Sequence, residues 1–393
     1  MSVPRYAVFG AGMMGRVGAQ DLLASEPAAT ATLFDRSEEL LADAAERIAD
    51  SRLSTEAVDA KERGATARAM EGHNVAIAAL PHGLSLSLVE SAIASGTSPV
   101  DLVGEAPDKR RALDGEARAA GSLIVPGCGV APGISNFCVG RGIELLDETH
   151  KAAIYDGGIP RKPEPPLWYQ TVFLLESVLA ACRRKATIRR DGTWVEVEPL
   201  TDVEELEFPG PIGKLEAFYT DGLGSLPMTV GERVGSDLYE KTLRYPGHVA
   251  GILFLQQCGL LSPTPVDVAG ISVAPVALLQ KVLEDKLRLG PEGDILVMRV
   301  VVEGRSAGRS VAHEFELIDY FDAEKGHTAM ARTTGFSAAC AARRIACGVI
   351  EGAGVRFPEE ISLGEQFDAI VAELGTKGVR VEHREREMPH QAS

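Results

Sequence analysis

The sequence predicts an α/β fold in which a doubly wound parallel sheet precedes an α+β domain with a mixed or antiparallel sheet. Short apolar segments alternate with helical segments through the first third of the chain, which is typical of parallel sheets. After Asp147 the apolar segments are longer and polar turns separate them, as in antiparallel sheets. We expect one domain over residues 1–130, a second over 131–333, and a C-terminal segment, 334–393, that packs back on the first.

The individual elements follow from apolar patterning and from turn residues. For the first sheet, the predicted strands are 6–9, 31–34, 74–80, 99–103 and 122–125, and the predicted helices are 16–23, 38–49, 85–94 and 109–120. For the second, the predicted strands are 151–155, 294–304 and 309–317, and the predicted helices are 171–182, 248–258 and 275–287. A last apolar helix is expected over 335–350, before a polar tail, 382–393, that we expect to fray.

A glycine-rich turn lies between the first strand and the first helix. Gly10, Gly12 and Gly15 have the G-x-G-x-x-G spacing, and Met13 and Met14 complete the turn. The first glycine permits a tight turn, the second lets a pyrophosphate approach the backbone, and the third lets the helix pack on the strand. The helix N-terminus then offers free N–H groups to phosphate. This pattern indicates a Rossmann-type domain that binds a dinucleotide.

An acidic residue, Asp35, ends the second strand, where a carboxylate accepts hydrogen bonds from both ribose hydroxyls of NAD. The alternative is that Asp35 caps the helix that starts near Ser37. The neighbouring Arg36 is placed to pair with the 2′-phosphate of NADP. We expect NAD as cofactor, with NADP as the alternative.

The formal net charge of −16 argues against nucleic acid or anionic membranes as partners, because both require a basic surface. No apolar run approaches the length of a membrane span, and the N-terminus lacks signal-peptide features. The six cysteines show no metal-ligand spacing and read as reduced thiols. We expect a cytoplasmic protein without a metal, acting on a small molecule as a homodimer or higher oligomer.

Two further segments are expected at the carboxyl edge of the first sheet, where open α/β folds bind ligands. Leu80 and Pro81 follow the third strand, and the loop 126–136 follows the last one. Gly129 in this loop lets a ligand approach the backbone, and Pro132 suits the first turn of the next helix. We count these four residues among the cofactor contacts; the alternative for the loop is a plain domain junction.

With these features the chain resembles the saccharopine dehydrogenase-like family, and within it the L-lysine 6-dehydrogenases. The resemblance covers nearly the whole chain and is carried by the segments 10–15, 100–102, 129–133, 157–166, 215–218 and 241–248. The proline-rich segment 157–166 and the segment 241–248 are much more specific than the glycine turn. At position 82 a histidine stands where the resemblance leads us to expect tyrosine.

The resemblance implies NAD(P)-dependent oxidation of an amine-bearing carbon in a basic amino acid, with L-lysine at C6 as the first candidate. A second candidate is a saccharopine- or carboxynorspermidine-type reductase that joins an amine to an aldehyde, for which two separated arginine clusters are expected. A third is a protein that binds NAD(P) without catalysis.

An amino-acid substrate presents a carboxylate, for which guanidinium is the best two-pronged partner. Arg244 is the main candidate, with Lys241 and Thr242 beside it in the same motif. Arg161 is a second candidate, although it reads equally well as a solvated loop charge. A diamine substrate also requires an acid for its second ammonium, and Asp221 is the candidate, with Glu216 as a further acid.

Amine oxidation requires a base that accepts the ammonium proton before hydride leaves. His82 follows the third strand at the cofactor edge, and a histidine titrates near neutrality. Asp101, also at a strand end, is the second catalytic candidate, for holding the ammonium or ordering a water. Glu105 is a weaker carboxylate candidate for substrate binding. The alternatives are a structural role for His82 and helix capping by Asp101.

Overall fold

The computed structural model describes residues 3–389. The strands are β1 Arg5–Phe9, β2 Thr30–Asp35, β3 Leu53–Ala57, β4 Val75–Ala78, β5 Ser98–Asp101, β6 Leu123–Pro126, β7 Glu148–Pro160, β8 Ala186–Arg190, β9 Thr193–Val197, β10 Glu204–Phe208, β11 Gly213–Tyr219, β12 Val234–Arg244, β13 Val266–Val268, β14 Ile271–Val273, β15 Asp294–Ser306, β16 Arg309–Tyr320, β17 Gly354–Val355 and β18 Val381–Glu387. The helices are α1 Met13–Ser25, α2 Glu38–Ile48, α3 Arg63–Met70, α4 His82–Ser95, α5 Pro107–Arg111, α6 Asp114–Ala120, α7 Ile134–Glu144, α8 Leu175–Ala181, α9 Leu226–Thr229, α10 His248–Gln257, α11 Pro275–Lys286, α12 Ala329–Ala346, α13 Pro358–Ile361 and α14 Glu365–Thr376.

The chain divides into two compact units. Among the described residues, the first unit comprises 3–147, Gly224–Arg233 and Ala331–Val381, and the second unit comprises Glu148–Leu223, Val234–Met330 and 382–389. The borders predicted at 130 and 333 differ from this division, because α7 packs against α13 within the first unit and the segment 224–233 belongs there too.

The first unit is built on a parallel sheet with the strand order β17-β6-β5-β4-β1-β2-β3. From β6 to β3 this is the strand order of a Rossmann domain, which confirms the predicted fold class. All these strands are parallel, but successive strands are added toward one edge from β1 to β3 and toward the other edge from β4 to β6. The carboxyl ends of β1 and β4 therefore flank the crevice where such sheets bind ligands. The core of this unit includes the stacked rings of Phe9 and Phe34, whose centres are 4.7 Å apart.

The last long helix, α12, packs against α1. Gly335 on α12 lies against α1, because a Cβ at Gly335 would be 3.0 Å from the carbonyl oxygen of Met14. At Gly18 an added Cβ would likewise be 3.5 Å from the carbonyl oxygen of Gly335. The two backbones approach closely because both contact positions are glycine.

The second unit is built on a mixed sheet with the order β10-β11-β12-β7-β15-β16-β18, to which β8 and β9 are attached beside β12. β12 and β7 run parallel, whereas the pairs β10–β11, β11–β12, β12–β8, β8–β9, β7–β15 and β15–β16 are antiparallel. This confirms the predicted mixed sheet. One of its faces is covered by the helices α8, α10 and α11, which contribute Leu179, Ile252 and Leu283 to a core shared with Phe218 of β11.

Two predicted elements differ from the structure. The helix expected over 109–120 is interrupted between α5 and α6, where Arg110 is drawn into the interior and is only 2% exposed. The tail expected to fray forms β18 up to Glu387 and pairs with β16, with Arg309 bound to Glu387. Residues 390–393 of that tail lie outside the described residues. Within the described chain, no helix is both long and apolar enough to cross a bilayer.

Candidate active site

The glycines of the turn in the first unit have two different roles: two are required by close packing of the protein, and one borders open space. Gly10 has a φ of +105°, and a Cβ there would be 2.2 Å from the carbonyl oxygen of Ala79. A Cβ on Gly15 would be 1.9 Å from the carbonyl oxygen of Gly10. At Gly12, in contrast, an added Cβ meets nothing within 4 Å. The protein itself therefore requires the first and third glycines, and the space over Gly12 is left for a ligand.

The N-terminus of α1 begins directly at this space. Its N-cap is Gly12, which provides no capping side chain, and the first turn contains no acidic residue. Met13 is 40% exposed. Unsatisfied first-turn amides and the positive end of the helix dipole form an anion site, so the turn fits the pyrophosphate of a dinucleotide.

Asp35 links this turn to the end of β2. One carboxylate oxygen accepts a hydrogen bond from the amide of Ala11 at 2.8 Å, and the other accepts from the amide of Ser37 at 2.9 Å. The N-cap of α2 is Ser37 itself, whose hydroxyl accepts from Leu40. Each oxygen of Asp35 keeps a second lone pair, which leaves the carboxylate able to accept from ribose hydroxyls. Arg36 is exposed beside it.

The loop after β6 is packed on itself and its helix begins later than predicted. α7 starts at Ile134, so Pro132 lies before the helix rather than in its first turn, and the Ala131–Pro132 peptide is cis. The amide of Gly129 donates to the carbonyl of Pro132 at 3.0 Å, and Gly129 is buried. Cys128 is fully buried as well, and burial raises the pKa of its thiol to about 12. The loop is thus held by its own hydrogen bonds and is largely buried.

The end of β4 carries an exposed imidazole–carboxylate pair. After Leu80 and Pro81, α4 begins at His82, whose Nδ1 lies 2.9 Å from Oε2 of Glu105. The two side chains are 41% and 39% exposed. The sequence assigned His82 to catalysis and Glu105 to the substrate, and the structure joins them. A carboxylate on Nδ1 orients the ring and leaves Nε2 for a reacting group.

Asp101 is enclosed instead. The carboxylate is 0% exposed and accepts from Arg110 at 2.9 and 3.2 Å, from the Ser85 hydroxyl, and from the amide of Val103 at 2.9 Å. Burial raises the pKa of Asp101 although Arg110 opposes the shift. Three of these four hydrogen bonds go to Oδ2 and one goes to Oδ1, and the whole group is enclosed by protein. This arrangement contradicts substrate contact by Asp101 and makes it one half of a buried structural ion pair.

In the second unit, β12 carries the polar residues of the motif at 241–248. Side chains alternate along a strand, so Glu240, Thr242 and Arg244 share one face and Lys241 faces the other. The ammonium of Lys241 donates to Glu204 at 2.8 Å and to the carbonyl of Asp202. Lys241 therefore does not face the side that carries Arg244, contrary to the prediction that both bind one substrate.

Arg244 ends β12 and is only 6% exposed. Its Nη1 donates to the carbonyl of Leu243 at 2.7 Å, and its Cζ lies 4.8 Å from the centre of the Tyr169 ring. The Nε of Arg244 and the hydroxyl of Tyr169 are both buried without a partner among the described residues. Buried donors left unpaired are costly, so this pair is suited to an acceptor supplied by a ligand.

Two neighbours of Arg244 have structural roles. Glu216, directly opposite Arg244 on β11, accepts from the first amides of α10. His248 lies with its Nδ1 3.0 Å from the carbonyl oxygen of Leu167, and burial together with the charge of Arg244 lowers its pKa to about 3. His248 is therefore neutral near pH 7 and adds no second positive charge.

An acid pair lies on the same face, at the junction of β7 and β12. Asp156 is directly opposite Thr242 in the parallel register. Glu240 is 2% exposed and accepts from Thr220 at 2.7 Å and from Thr242 at 3.2 Å. Burial raises the pKa of Asp156 to about 7, against the lowering effects of Arg244 and of a hydrogen bond with Glu240. Burial and the Asp156 charge raise the pKa of Glu240 well above its usual range.

The two remaining candidates of the second unit lie at its surface. Arg161 is exposed and stacks over the Tyr320 ring at 5.7 Å, outside the Arg244 face. Asp221 is exposed and close enough to Glu240 to raise its pKa. Sequence reasoning missed Asp156, Glu240 and Tyr169. The adjoining specific segments, 157–166 and 241–248, were the available signal, because Asp156 and Glu240 immediately precede them.

Comparisons with known proteins identify the family, with one family domain matching the chain before residue 126 and a second one from residue 129 on. The saccharopine dehydrogenase NADP binding domain matches residues 6–125, and the saccharopine dehydrogenase C-terminal domain matches residues 129–379. Fold, glycine turn and these matches define an NAD(P)-dependent oxidoreductase. The chain belongs to the saccharopine dehydrogenase family.

Individual relatives are distant. The chain is 24% identical to a carboxyaminopropylagmatine dehydrogenase from Synechocystis, over 95% of both proteins. It is also 24% identical to a saccharopine dehydrogenase (NADP⁺, L-glutamate-forming) from Schizosaccharomyces pombe, over 83% of this chain and 87% of that protein. The structure of apo saccharopine dehydrogenase (L-Glu forming) from Saccharomyces cerevisiae superposes with a TM-score of 0.81 at 19% identity, over 98% of this chain and 100% of the other. This last likeness concerns the fold.

Proposed function

We propose that this enzyme transfers a hydride between NAD(P) and the amine-bearing carbon of an amino acid, and that its first candidate reaction is oxidative deamination of a basic amino acid, L-lysine at C6. The observation that carries this proposal is the pair of buried, unpartnered donors on Arg244 and Tyr169. Guanidinium with a neighbouring hydroxyl is suited to a carboxylate, which every amino acid presents.

The first unit supports the cofactor side of the proposal. Gly12, the open N-terminus of α1 and Asp35 would hold the dinucleotide. When bound, the nicotinamide supplies hydride acceptance or donation. Asp35 favours NAD, because a carboxylate repels a 2′-phosphate, and exposed Arg36 is the residue that would favour NADP.

Proton transfer is assigned to His82. Oxidation of an amine requires the neutral amine, and a positioned base removes the ammonium proton. Glu105 holds Nδ1 of His82, which leaves Nε2 as the accepting atom. Asp101 is excluded from this role, since its oxygens are occupied by Arg110, Ser85 and Val103.

The second candidate reaction joins an amine to an aldehyde by reduction of the resulting imine. It is favoured by the match to a carboxyaminopropylagmatine dehydrogenase across 95% of both chains. The name of that enzyme's substrate combines one carboxyl group with agmatine, and one carboxylate also agrees with one buried arginine beside Tyr169. A saccharopine-type or carboxynorspermidine-type product is tested in the same experiment.

The deciding experiment follows the absorbance of reduced nicotinamide with both cofactors. Lysine and ornithine are supplied with NAD⁺ or NADP⁺, and amine–aldehyde pairs, including agmatine, are supplied with NADH or NADPH. Oxidation of lysine without an aldehyde supports the first candidate, and consumption of reduced cofactor only by a pair supports the second. Tight cofactor binding without turnover of any substrate would favour the non-catalytic alternative.

We also propose that the enzyme is a cytoplasmic homodimer. The cysteines are free thiols, as expected in a reducing compartment. In the second unit, Val266, Val268 and Ile271 of the hairpin β13–β14 are 50–66% exposed, and Leu278 on the following helix is 54% exposed. A two-stranded hairpin is marginal alone in water, and a second copy would cover it. Light scattering should give a dimer that Ile271→Asp converts to a monomer; a monomeric wild type would contradict the proposal.

A further inference from the structure

The acid pair of the second unit is not used by the carboxylate site or by the proton transfer described above. Asp156 and Glu240 lie on the neighbouring parallel strands β7 and β12, and the register sets Asp156 opposite Thr242. Residues paired in this way point to the same face, which is also the face of Arg244. Asp156 is partly exposed, whereas Glu240 is 2% exposed. Asp156 therefore keeps limited contact with solvent, whereas Glu240 keeps almost none.

The inner acid is held by a dedicated hydroxyl network. The hydroxyls of Thr220 and Thr242 lie 2.6 Å apart, and each bonds one oxygen of Glu240. Gly222 closes over the same group, since a Cβ there would be 2.5 Å from Oε2. These contacts hold the carboxyl group of Glu240 in one orientation before any ligand binds.

A second observation indicates that a ligand belongs on this face. Arg244, 6% exposed, and Tyr169, 1% exposed, both carry a buried donor without a partner among the described residues. The charge of Arg244 acts on Asp156 as well as on Tyr169. Unpaired donors and a carboxyl pair side by side are complementary to a molecule that carries a carboxylate and a cation.

We propose that Asp156 and Glu240 form the subsite for a cationic nitrogen of the substrate, a primary ammonium or a guanidinium, next to the carboxylate site at Arg244 and Tyr169. The inference rests on the proposed function in that the ligand is an amino acid or an amino-acid conjugate. It specifies the substrate class further: a zwitterion with one additional positive charge. An uncharged side chain of equal length should bind more weakly, because it offers no positive charge to the acid pair.

Binding at this subsite is coupled to proton release. Two adjacent carboxyls with little access to solvent share a proton, because the doubly ionised pair repels itself. An arriving cation replaces that proton as the partner of the second carboxylate. The charged groups that face Asp156 are Arg244 and Glu240, and Asp221 faces Glu240. Since the pKa of Asp156 is about 7, affinity for the cation should rise as the pH increases through neutrality.

The test is titration calorimetry on the full-length enzyme saturated with NADH or NADPH, which prevents oxidation of the ligand. Lysine, arginine, agmatine and norleucine are the probes, and norleucine matches lysine without its side-chain ammonium. We expect the best cation to bind at least about 30-fold more tightly than norleucine. Binding in buffers of different ionisation enthalpy should show release of a proton near pH 7.

The variants are Asp156→Asn and Glu240→Gln, which keep shape and hydrogen bonding. Either should reduce the preference for the cation to a few-fold, and Asp156→Asn should abolish proton release and flatten the pH dependence. Glu205→Gln, an exposed acid of the same sheet bound to Lys214, is the matched control and should leave all values unchanged. Melting temperatures and cofactor affinity establish that the variants fold.

The outcomes separate the two proposals. Norleucine binding as tightly as lysine, no binding of any cationic probe, or retained selectivity in Asp156→Asn would overturn the subsite. Selectivity that depends on Asp156, without hydride transfer to any substrate, would support the subsite and contradict the proposed function. Turnover of lysine with unchanged selectivity in Asp156→Asn would support the proposed function and contradict the subsite.

Discussion

The two units offer their ligand-binding groups in opposite ways. In the first unit, recognition relies on backbone, because side chains are excluded: Gly12 borders open space and α1 begins without a cap. In the second unit, the groups that we propose for substrate recognition are charged side chains that strands and helices bury, with Arg244 and Glu240 only 6% and 2% exposed. A cofactor that many enzymes share is bound by a backbone turn that many proteins also share. Selectivity between substrates is expected instead from buried charged side chains, because a buried charge without its matching ligand group is costly.

The largest expected effect tests the backbone side of this comparison. Gly12→Val should abolish measurable NAD(P) binding and leave the melting temperature near that of the wild type, because the space over Gly12 is empty of protein. The matched variant is Gly15→Ala, whose Cβ would be 1.9 Å from the carbonyl oxygen of Gly10 and should destabilise the fold itself. Calorimetry and thermal unfolding measure both. Unchanged affinity in Gly12→Val would remove the cofactor assignment.

The next effect concerns His82, the exposed side chain of the first unit that we propose as the base. His82→Phe should lower kcat by about 100-fold or more, as expected for loss of a positioned base, while cofactor affinity is retained. Glu105→Gln should cause a smaller loss, because it only weakens the orientation of the ring. Steady-state kinetics over a pH range measure both. Near-normal activity with an unmoved pH profile would assign His82 to structure.

Arg244→Ala tests the side-chain region. Removing one partner of a charged pair in a desolvated site costs about 2–5 kcal/mol of transition-state binding, which lowers kcat/KM by at least about 30-fold. Cofactor affinity should stay constant. Arg288→Ala, an exposed arginine of the same unit, is the control and should have little effect. Equal losses for substrates with and without a carboxylate would rule out carboxylate binding by Arg244.

The smallest expected effect concerns the choice between cofactors. Asp35→Ala should reduce the preference for NAD over NADP by about tenfold, since one set of ribose hydrogen bonds and one repulsion are lost. The ratio of kcat/KM values for the two cofactors measures it. A wild-type preference for NADP would show that Arg36 outweighs Asp35 in the choice of cofactor. A charged side chain would then decide selectivity in the first unit as well as in the second.

Sequence reasoning reached the glycine turn because all of its parts are local. The strand, the three glycines, the helix and Asp35 follow one another within about one βαβ unit. The acid pair was beyond reach because Asp156 and Glu240 meet only through the parallel pairing of β7 with β12. The strands between them, from β8 to β11, are short and partly exposed, so their apolar periodicity is weak.

Burial also decided which individual residues were assigned wrongly. Asp101 and Lys241 were selected for their chemistry and their position at or near strand ends, yet both are occupied by protein partners. Residue type shows what a group can do, but its availability depends on the other elements that surround it. Arg110 is such a case, because it reaches Asp101 only after the helix predicted over 109–120 is interrupted.

The close approach of Gly222 to Glu240 has a consequence for how this enzyme diverges. Any side chain at position 222 would place a Cβ 2.5 Å from a carboxylate oxygen of Glu240. Gly222→Ala is therefore harmful while Glu240 is present and becomes tolerable once position 240 carries a smaller residue. The effect of a change at position 222 then depends on whether the change at position 240 has already occurred, which is a case of sign epistasis. We therefore expect a chain without an acid at 240 to tolerate a larger residue at 222, and such a residue would hinder the return of the acid.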